Sequence, residues 1–339
     1  MKELKIKELG NSEIEIEGEL PFKELEKHRS ATLKTLGANI KIDGFRAGHV
    51  PEEVILEKVG EPALLEGMAN RALSENYPKI IIEKKINPIA NPQVTITKLA
   101  QGNPLGFKMK VPIMPEVKLP EYKKIAKEIY SKKENIEKIT KDEEKNIIKQ
   151  ILATKAVDGK TPELTDALVK ELGQFKNVKD FKEKVLEGIG KEKEFKLKEK
   201  KRVEVIEEII KQSEINLPDI IIESELDKMI AQFQGDIKRM GLEVDKYLEG
   251  VKKTVEDLRK EWRPEAEKRG KSQLILNTIA VEEKLFPKKE DVEAEAKHLL
   301  SHHPEINKDR VKVYTEMILT NEKVMGFFEK QKVDEKDKE

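Results

Sequence analysis

The chain has 339 residues, with 66 Lys and Arg against 66 Asp and Glu, so its formal net charge is zero although 39% of its residues are charged. A balanced surface of this kind argues against a dedicated nucleic-acid coat, where a basic excess is expected, and favours long solvated helices. Cysteine is absent, which excludes disulfides, thiolate metal sites and cysteine nucleophiles and suits a reducing cytoplasm.

The length is sufficient for at least two domains with substantial cores. No apolar run approaches the roughly 18 to 20 residues of a membrane span, and the N-terminus lacks the apolar core of a secretory signal. We therefore expect a soluble cytoplasmic protein without a membrane partner.

The first hundred residues predict a small antiparallel sheet with helices between its first and last strands. Apolar and charged residues alternate on both sides of Gly10-Asn11-Ser12, which is typical of a β-hairpin. Later segments place apolar residues at helical spacing and then alternate again. The predicted elements are a hairpin over residues 4–16, a helix over 21–37, a short helix over 51–59, a longer helix from residue 61 that carries Pro78, and two strands over 94–96 and 107–111, with Pro112 at a strand end.

A glycine-bracketed segment lies between the first two predicted helices. Its sequence is Gly44-Phe45-Arg46-Ala47-Gly48-His49, with a proline two residues further on. An apolar ring beside a guanidinium suits docking on a partner, because the ring supplies buried area and Arg46 a planar donor fork. The local pattern fits equally well a helix-to-helix turn in which Phe45 folds back into the core.

The segment Gly-Phe-Arg-x-Gly-x-Val-Pro, between an amphipathic helix and Glu-Glu-Val-Ile, resembles the ribosome-docking signature of the trigger factor family of bacterial chaperones. The resemblance extends to Leu73-x-x-x-Tyr77, to Asn87-Pro88 and Asn91-Pro92 before a strand, and to the exit strand from Phe107 onward. It implies that Phe45 and Arg46, with Gly44, Ala47, Gly48 and His49, meet the ribosomal protein and RNA beside the exit tunnel. Ala47 and His49 depart from the family, which usually has a basic residue and a lysine there.

The middle of the chain predicts a connector with one helix. Residues 115–134 are rich in Lys and Glu with two prolines, which favours extended backbone. Thr140 and Glu143 then have the spacing of a capping box at a helix start. In the full-length family such a helix leads into an FK506-binding-type prolyl isomerase domain, but here the chain passes directly to Glu163-Leu164-Thr165, which resembles the start of the family's C-terminal domain. The isomerase domain is therefore expected to be absent.

The remaining chain predicts long helices with short breaks. Apolar side chains recur at spacings of three and four, and Leu217-Pro218, Gly241 and Phe286-Pro287 interrupt the pattern. Leu164-Thr-Asp-Ala-Leu-Val, Ile215-Asn-Leu-Pro218 and Arg263-Pro-Glu-Ala-Glu-Lys-Arg269 resemble the trigger factor C-domain in order, and this domain forms helical arms around a cradle for unfolded chains. The predicted segments are a docking domain over 1–115, a connector over 116–160, a helical chaperone domain over 161–331 and a charged tail over 332–339.

Soft or aromatic side chains on these helices are the candidate client-binding residues. Methionine adapts to varied partners, although an apolar stripe at helical spacing is usually core. The candidates are Met229, Phe233, Met240, Met317, Met325, Phe327 and Phe328.

The sequence contains none of the catalytic motifs that we considered. It has no phosphate-binding glycine loop, no Gly-x-Ser-x-Gly elbow and no His-Glu-x-x-His. His298 and His302 are four residues apart and could share a metal, but the favoured interpretation is that they are histidines at a helix end before Pro304. We expect no catalytic residue, no metal and no cofactor.

The sequence is thus interpreted as an α+β protein: an N-terminal antiparallel sheet with helices, an extended connector and an all-α C-terminal chaperone domain. The expected function is ATP-independent holding of unfolded or nascent polypeptides at the ribosomal exit tunnel, without DNA as a partner. The resemblance also implies a possible homodimer when the protein is free of the ribosome. The alternatives are a ribosome-independent holdase or assembly factor, which Ala47 and His49 favour, a prolyl isomerase, and a helical scaffold without affinity for unfolded chains.

Overall fold

The structure is a computed structural model that describes residues 4–38, 50–132, 138–156, 161–302 and 305–331. Twelve helices and six strands are assigned within these ranges. The strands are β1 (Lys5–Gly10), β2 (Glu13–Leu20), β3 (Gln93–Lys98), β4 (Leu105–Pro112), β5 (Val117–Lys118) and β6 (Glu214–Ile215). The helices are α1 (Phe22–Glu26), α2 (Arg29–Ala38), α3 (Glu52–Glu83), α4 (Tyr122–Ser131), α5 (Lys141–Ala153), α6 (Asp166–Leu172), α7 (Val178–Gln212), α8 (Asp219–Arg239), α9 (Val244–Gly250), α10 (Val255–Glu282), α11 (Lys289–His302) and α12 (Lys308–Glu329).

The predicted fold class is confirmed, with a small antiparallel sheet at the N-terminus and helices after it. The chain forms two compact units that interleave along the sequence, residues 1–118 with 214–274 and residues 119–213 with 275–339. The sequence instead predicts consecutive segments, and their boundaries stay a prediction. No described helix is long and apolar enough to cross a membrane.

The first unit contains the four-stranded sheet, in the order β1-β2-β4-β3 with all neighbours antiparallel. Strand alternation sends Ile14 and Ile16 into the core, where they pair with Val111 and Met109 of β4. The outward-facing residues of the same strands are charged. The Lys110 ammonium group forms an ion pair with the Glu13 carboxylate at 2.6 Å. One face of the sheet is therefore apolar and packs against α2 and α3, as the period-two pattern requires.

The two predicted helices at residues 51–59 and 61–83 form one element, α3, with a break where the sequence places it. Gly60 has φ +79° and ψ 155°, a backbone conformation outside the helical region that glycine adopts without a Cβ penalty. The predicted helix over 21–37 is instead divided into α1 and α2 by a turn at Lys27 and His28, and Gly37 lies inside α2 rather than at its end.

The same unit includes the segment from β6 to the middle of α10. β6 pairs antiparallel with β5, and the Ser12 hydroxyl donates a hydrogen bond to the Asn216 carbonyl at 2.7 Å. The paired strands lie about 100 positions apart in the sequence, and Ser12 and Asn216 lie 204 positions apart. No sequence pattern predicted the β5–β6 pair, because strands of two residues are too short to show alternation.

The second unit is helical and is built around α4, which the sequence analysis missed. Residues 115–134 were expected to be extended, but α4 lies within them and buries Tyr122, Ile125, Ala126, Ile129 and Tyr130 against α7 and α12. Those residues follow a helical period of three and four, and a proline two residues before the helix marks a start rather than a break. The connector thus holds two helices, α4 and α5.

A network of ion pairs connects α12 to α7. Arg202 of α7 bonds Glu329 at 2.9 Å and Glu322 at 3.0 Å, and Lys198 bonds Glu329 at 3.1 Å. Burial opposes ionisation of Glu329, but the hydrogen bonds from Arg202 and Lys198 outweigh it and lower the pKa of its carboxyl. The neighbouring Tyr130 hydroxyl is buried, and its pKa rises to about 12, mainly through burial and then through the charge of Glu329.

The Glu329 network predicts acid-sensitive stability. Because the folded pKa of Glu329 lies below its ordinary value of 4.5, its contribution is complete above that pH and is lost as the pH falls through the folded pKa. We expect Glu329→Gln to lower the free energy of unfolding by about 1 kcal/mol at pH 7 and to reduce its acid dependence. Urea titrations of both proteins from pH 7 to about pH 3 measure this, and Glu187→Gln, on an exposed pair, is the control. Parallel pH profiles for native and Glu329→Gln proteins would contradict the assignment.

Candidate functional site

The α8–α9 turn in the first unit presents exposed apolar side chains. Gly241 adopts φ +76°, and the amides of Gly241 and Leu242 donate to the carbonyls of Lys238 and Ile237. This is a Schellman ending, which requires a left-handed residue and so favours glycine. It leaves Met240 69% exposed and Leu242 46% exposed.

Gly241 and Leu242 border an open groove of about 420 Å³, here called the tip groove, and Met240 directly precedes them in the sequence. Its apolar edge includes Val251, which is 46% exposed, and its polar rim carries an ion pair of 2.9 Å between Lys246 and Glu243. A Cβ built on Gly241 or Gly250 would meet no atom within 4 Å, so these two backbone positions leave room at the surface. The lining residues are Gly241, Leu242, Glu243, Lys246, Tyr247, Gly250 and Val251.

An aromatic cluster lies next to the groove. Phe233 of α8 makes edge-to-face contacts with Tyr247 of α9 at 5.8 Å and with Trp262 of α10 at 5.6 Å between ring centroids. Ile230, Leu248 and Leu258 are buried with them. Such ring pairs add to the stabilisation from burial, so the groove rests on a fixed platform.

Ion pairs on the surface connect α8 to α10, the two helices that contribute Phe233 and Trp262 to the aromatic cluster. Arg259 bonds Glu223 and Asp227, each at 2.6 Å, and Arg263 bonds Glu223 at 2.7 Å and Asp219 at 2.5 Å. The hydrogen bond from Arg259 is the main cause that lowers the pKa of the Glu223 carboxyl, so Glu223 stays ionised at neutral pH.

In the second unit, the N-terminal half of α12 leaves several apolar side chains exposed. Val313 is 69% and Tyr314 56% exposed, and Ile318 is 39% exposed one turn after Tyr314. Val311, Val324 and Phe328 of the same helix are buried. We call Val313, Tyr314, Met317 and Ile318 the α12 outer face.

The structure places the sequence-predicted client residues unequally. Met240 is the most exposed of them and lies beside the tip groove, whereas Met229 and Phe233 pack partly buried on cluster residues of α8 and α10. Met317 belongs to the α12 outer face, and Met325 and Phe327 are half-buried. Phe328 is fully buried, with its ring 6.5 Å from that of Tyr122, so we leave it out of the candidate surface.

Sequence reasoning missed Leu242, Val251, Val313 and Tyr314. The glycine at the end of α8 does not by itself indicate Leu242, because the residue after such a glycine often packs back on the last helical turn. Helical periodicity does not indicate Val313 either, because it lies about three turns before the buried Val324, on the same side of α12.

The other residues predicted from the sequence are those of the docking loop and the two histidines near Pro304. The loop residues Gly44, Phe45, Arg46, Ala47, Gly48 and His49 lie outside the described residues, and their role stays a prediction. His298 and His302 stack edge to face at 5.0 Å in the last turns of α11. Within the described ranges no group of three or more His, Cys, Asp or Glu side chains is arranged to hold a metal.

Two family profiles match most of the chain. The profile of the bacterial trigger factor protein matches residues 2–151, and that of the bacterial trigger factor C-terminus matches residues 177–332. The chain belongs to the trigger factor family.

Curated relatives with this name align along most of both chains. Trigger factor of Staphylococcus epidermidis is 25% identical over 364 residues, which cover 81% of this chain and 84% of the relative. Trigger factor of Clostridium kluyveri is 23% identical over 402 residues, which cover 89% and 93%. A solved structure of the trigger factor chaperone, described by its promiscuous substrate recognition in folding and assembly, aligns with a TM-score of 0.58 and 18% identity over 97% of this chain and 99% of that one. That likeness shows the shared fold.

The trigger factor matches leave no room for an isomerase domain between them. Only 25 residues, 152–176, separate the two matched stretches. Chains below about 40 residues rarely form an independent domain. The Staphylococcus alignment spans 364 positions but uses 81% of 339 residues, so about 90 positions are filled in the relative and empty here.

Proposed function

We propose that the protein acts as an ATP-independent molecular chaperone, a holdase for unfolded or nascent polypeptides in the cytoplasm. The observation that carries the proposal is the tip groove, where Met240, Leu242 and Val251 remain exposed beside a rigid aromatic cluster. Exposed apolar groups with a charged rim are typical of interaction sites. The α12 outer face is a second surface of the same kind in the other unit.

The energetics favour weak and reversible holding. A client aromatic side chain buries about 150–250 Å² when it docks, which contributes about 4–6 kcal/mol at 25 cal/mol per Å². Association costs consume much of this gain, so one contact alone binds a client poorly. Several contacts on one unfolded chain raise the overall affinity, because after the first contact the others become intramolecular. No step of this cycle requires a nucleotide or a covalent intermediate.

We further propose that the protein docks at the ribosomal exit tunnel through Gly44, Phe45, Arg46, Ala47, Gly48 and His49. Family membership and the sequence of this loop support the proposal, and the partners would be a ribosomal protein and the adjacent RNA. Ala47 and His49 favour a second candidate, a holdase that works without the ribosome, because two fixed cations of the family are replaced there. Dimerisation of the free protein remains an expectation from the family.

Prolyl isomerase activity is not part of the proposed function. The short stretch between the two family matches supports this, because it cannot contain the domain to which the activity is assigned. We expect no acceleration of proline isomerisation in a peptide substrate by the purified protein, and a rate above background that scales with protein concentration would overturn this part of the proposal.

Replacing the exposed apolar residues at the tip groove with serine should weaken client binding. The triple variant Met240→Ser, Leu242→Ser and Val251→Ser should weaken affinity for an unfolded client by about tenfold, since several exposed apolar contacts are lost. Light scattering during aggregation of a chemically unfolded client measures the effect. Ile82→Ser is the matched control, because Ile82 is 77% exposed on α3, away from the groove. Equal protection by the triple variant and the native protein, with unchanged melting temperatures, would contradict the assignment of the tip groove.

The docking loop predicts salt-sensitive ribosome binding. Co-sedimentation with ribosomes should weaken as salt rises, because contacts to phosphates release counterions. Phe45→Ala with Arg46→Ala should lose most of this binding while aggregation suppression is retained. If native protein does not sediment with ribosomes even at low salt, the ribosome-independent holdase takes the place of this proposal.

A further inference from the structure

A polar groove crosses the contact between α2 and α3 in the first unit. It has a volume of about 520 Å³ and is lined by His28, Gly67, Asn70, Arg71 and Ser74. The last four residues are spaced by three, one and three positions along α3, so they share one face of the helix. None of the five side chains is a large apolar one.

The floor of the groove is a close approach between the two helices. A Cβ built on Gly67 would lie 2.5 Å from the Thr32 Cγ2 atom, and Thr32 is buried with its hydroxyl bonded to the His28 carbonyl at 2.8 Å. Any larger residue at position 67 would push α2 away. The groove therefore has a fixed base with polar side chains above it.

The groove carries an unneutralised positive charge. Arg71 donates to the Thr35 hydroxyl at 2.6 Å, and among the described residues it has no carboxylate partner. The nearest acid of the site, Glu75, is 3.4 Å from His28 but is paired with Lys79 at 2.8 Å, which is the main cause of its lowered pKa. Asn70 and Ser74 side chains have no hydrogen-bond partner within the described part of the chain and remain available as donors.

We propose that this groove binds a phosphate group of ribosomal RNA and so provides a second, sequence-independent contact in addition to the docking loop. A guanidinium with amide and hydroxyl donors is the usual set for phosphate and sugar contacts. A protein partner is less suited, because the groove offers no apolar or aromatic anchor. The groove lies on the two helices that flank residues 39–49 in the sequence, and the inference rests on the proposed ribosome docking.

The test compares three proteins on ribosomes across a salt series from about 50 to 200 mM. They are the native chain, Arg71→Gln with Ser74→Ala, and the control Arg269→Gln, whose guanidinium pairs with Glu265 on α10. We expect the groove variant to bind about tenfold more weakly near 0.1 M salt, and its plot of log affinity against log salt to be less steep by about 1. Circular dichroism and melting temperature confirm that each variant is folded, and Arg269→Gln should match the native protein.

A second measurement separates this inference from the docking proposal. Inorganic phosphate is titrated while the backbone amide signals of residues 67, 70, 71 and 74 are followed by NMR.

If Phe45→Ala with Arg46→Ala loses ribosome binding but the groove variant keeps native affinity and salt slope, the groove inference falls and docking stands. If native protein does not bind ribosomes but phosphate shifts these signals saturably, and Arg71→Gln abolishes the shift, docking falls and phosphate recognition stands. Absence of both effects overturns the inference.

Discussion

The helices of this protein bury some of their apolar side chains, which stabilise the fold, and leave others exposed. α12 shows the division most clearly, with Val311 and Phe328 inside and Val313 and Tyr314 outside. Exposed apolar side chains contribute nothing to the stability of the native state, so the buried faces and the polar contacts between helices must suffice. The proposed chaperone activity depends on the buried residues providing enough stability without the exposed ones.

Ion pairs between helices help to set the register of one helix against its neighbour, which apolar packing alone does not specify. Arg259 and Arg263 connect α10 to three acids of α8, and Arg202 connects α7 to two acids of α12. Exposed pairs of this kind contribute little each, but a bidentate guanidinium sets the register of two helices. The zero net charge of so charged a chain is a consequence, since each surface cation tends to have an acidic neighbour.

Much of the fold was predictable because local and periodic signals dominate it. The capping box of Thr140 and Glu143 is present, the break in α3 at Gly60 lies between the two helices predicted there, and α8 ends before Gly241 as that glycine indicated. α4 was missed because its flanking prolines and lysines were weighed more heavily than its apolar face. The β5–β6 pair and the interleaved units depend on contacts between distant residues, which a single sequence does not display.

The candidate site was only partly predictable for the same reason. Periodicity identified Met240 and Met317 but could not tell an exposed stripe from a core one, and Phe328 proved to be buried. Leu242 and Arg71 were not predicted from the sequence. Leu242 owes its exposure to a Schellman turn, and Arg71 lacks a carboxylate partner among the described residues because the neighbouring Glu75 pairs with Lys79.

Photocrosslinking on stalled ribosomes can show whether the tip groove holds nascent chains without a nucleotide. A photoreactive amino acid is placed at position 242 or, as control, at position 82, and crosslinks to an emerging unfolded segment are measured without ATP. We expect a crosslink from position 242 that exceeds that from position 82 and is lost with Phe45→Ala and Arg46→Ala. Equal crosslinking from both positions, or none from position 242 while the protein stays bound to ribosomes, would contradict this expectation.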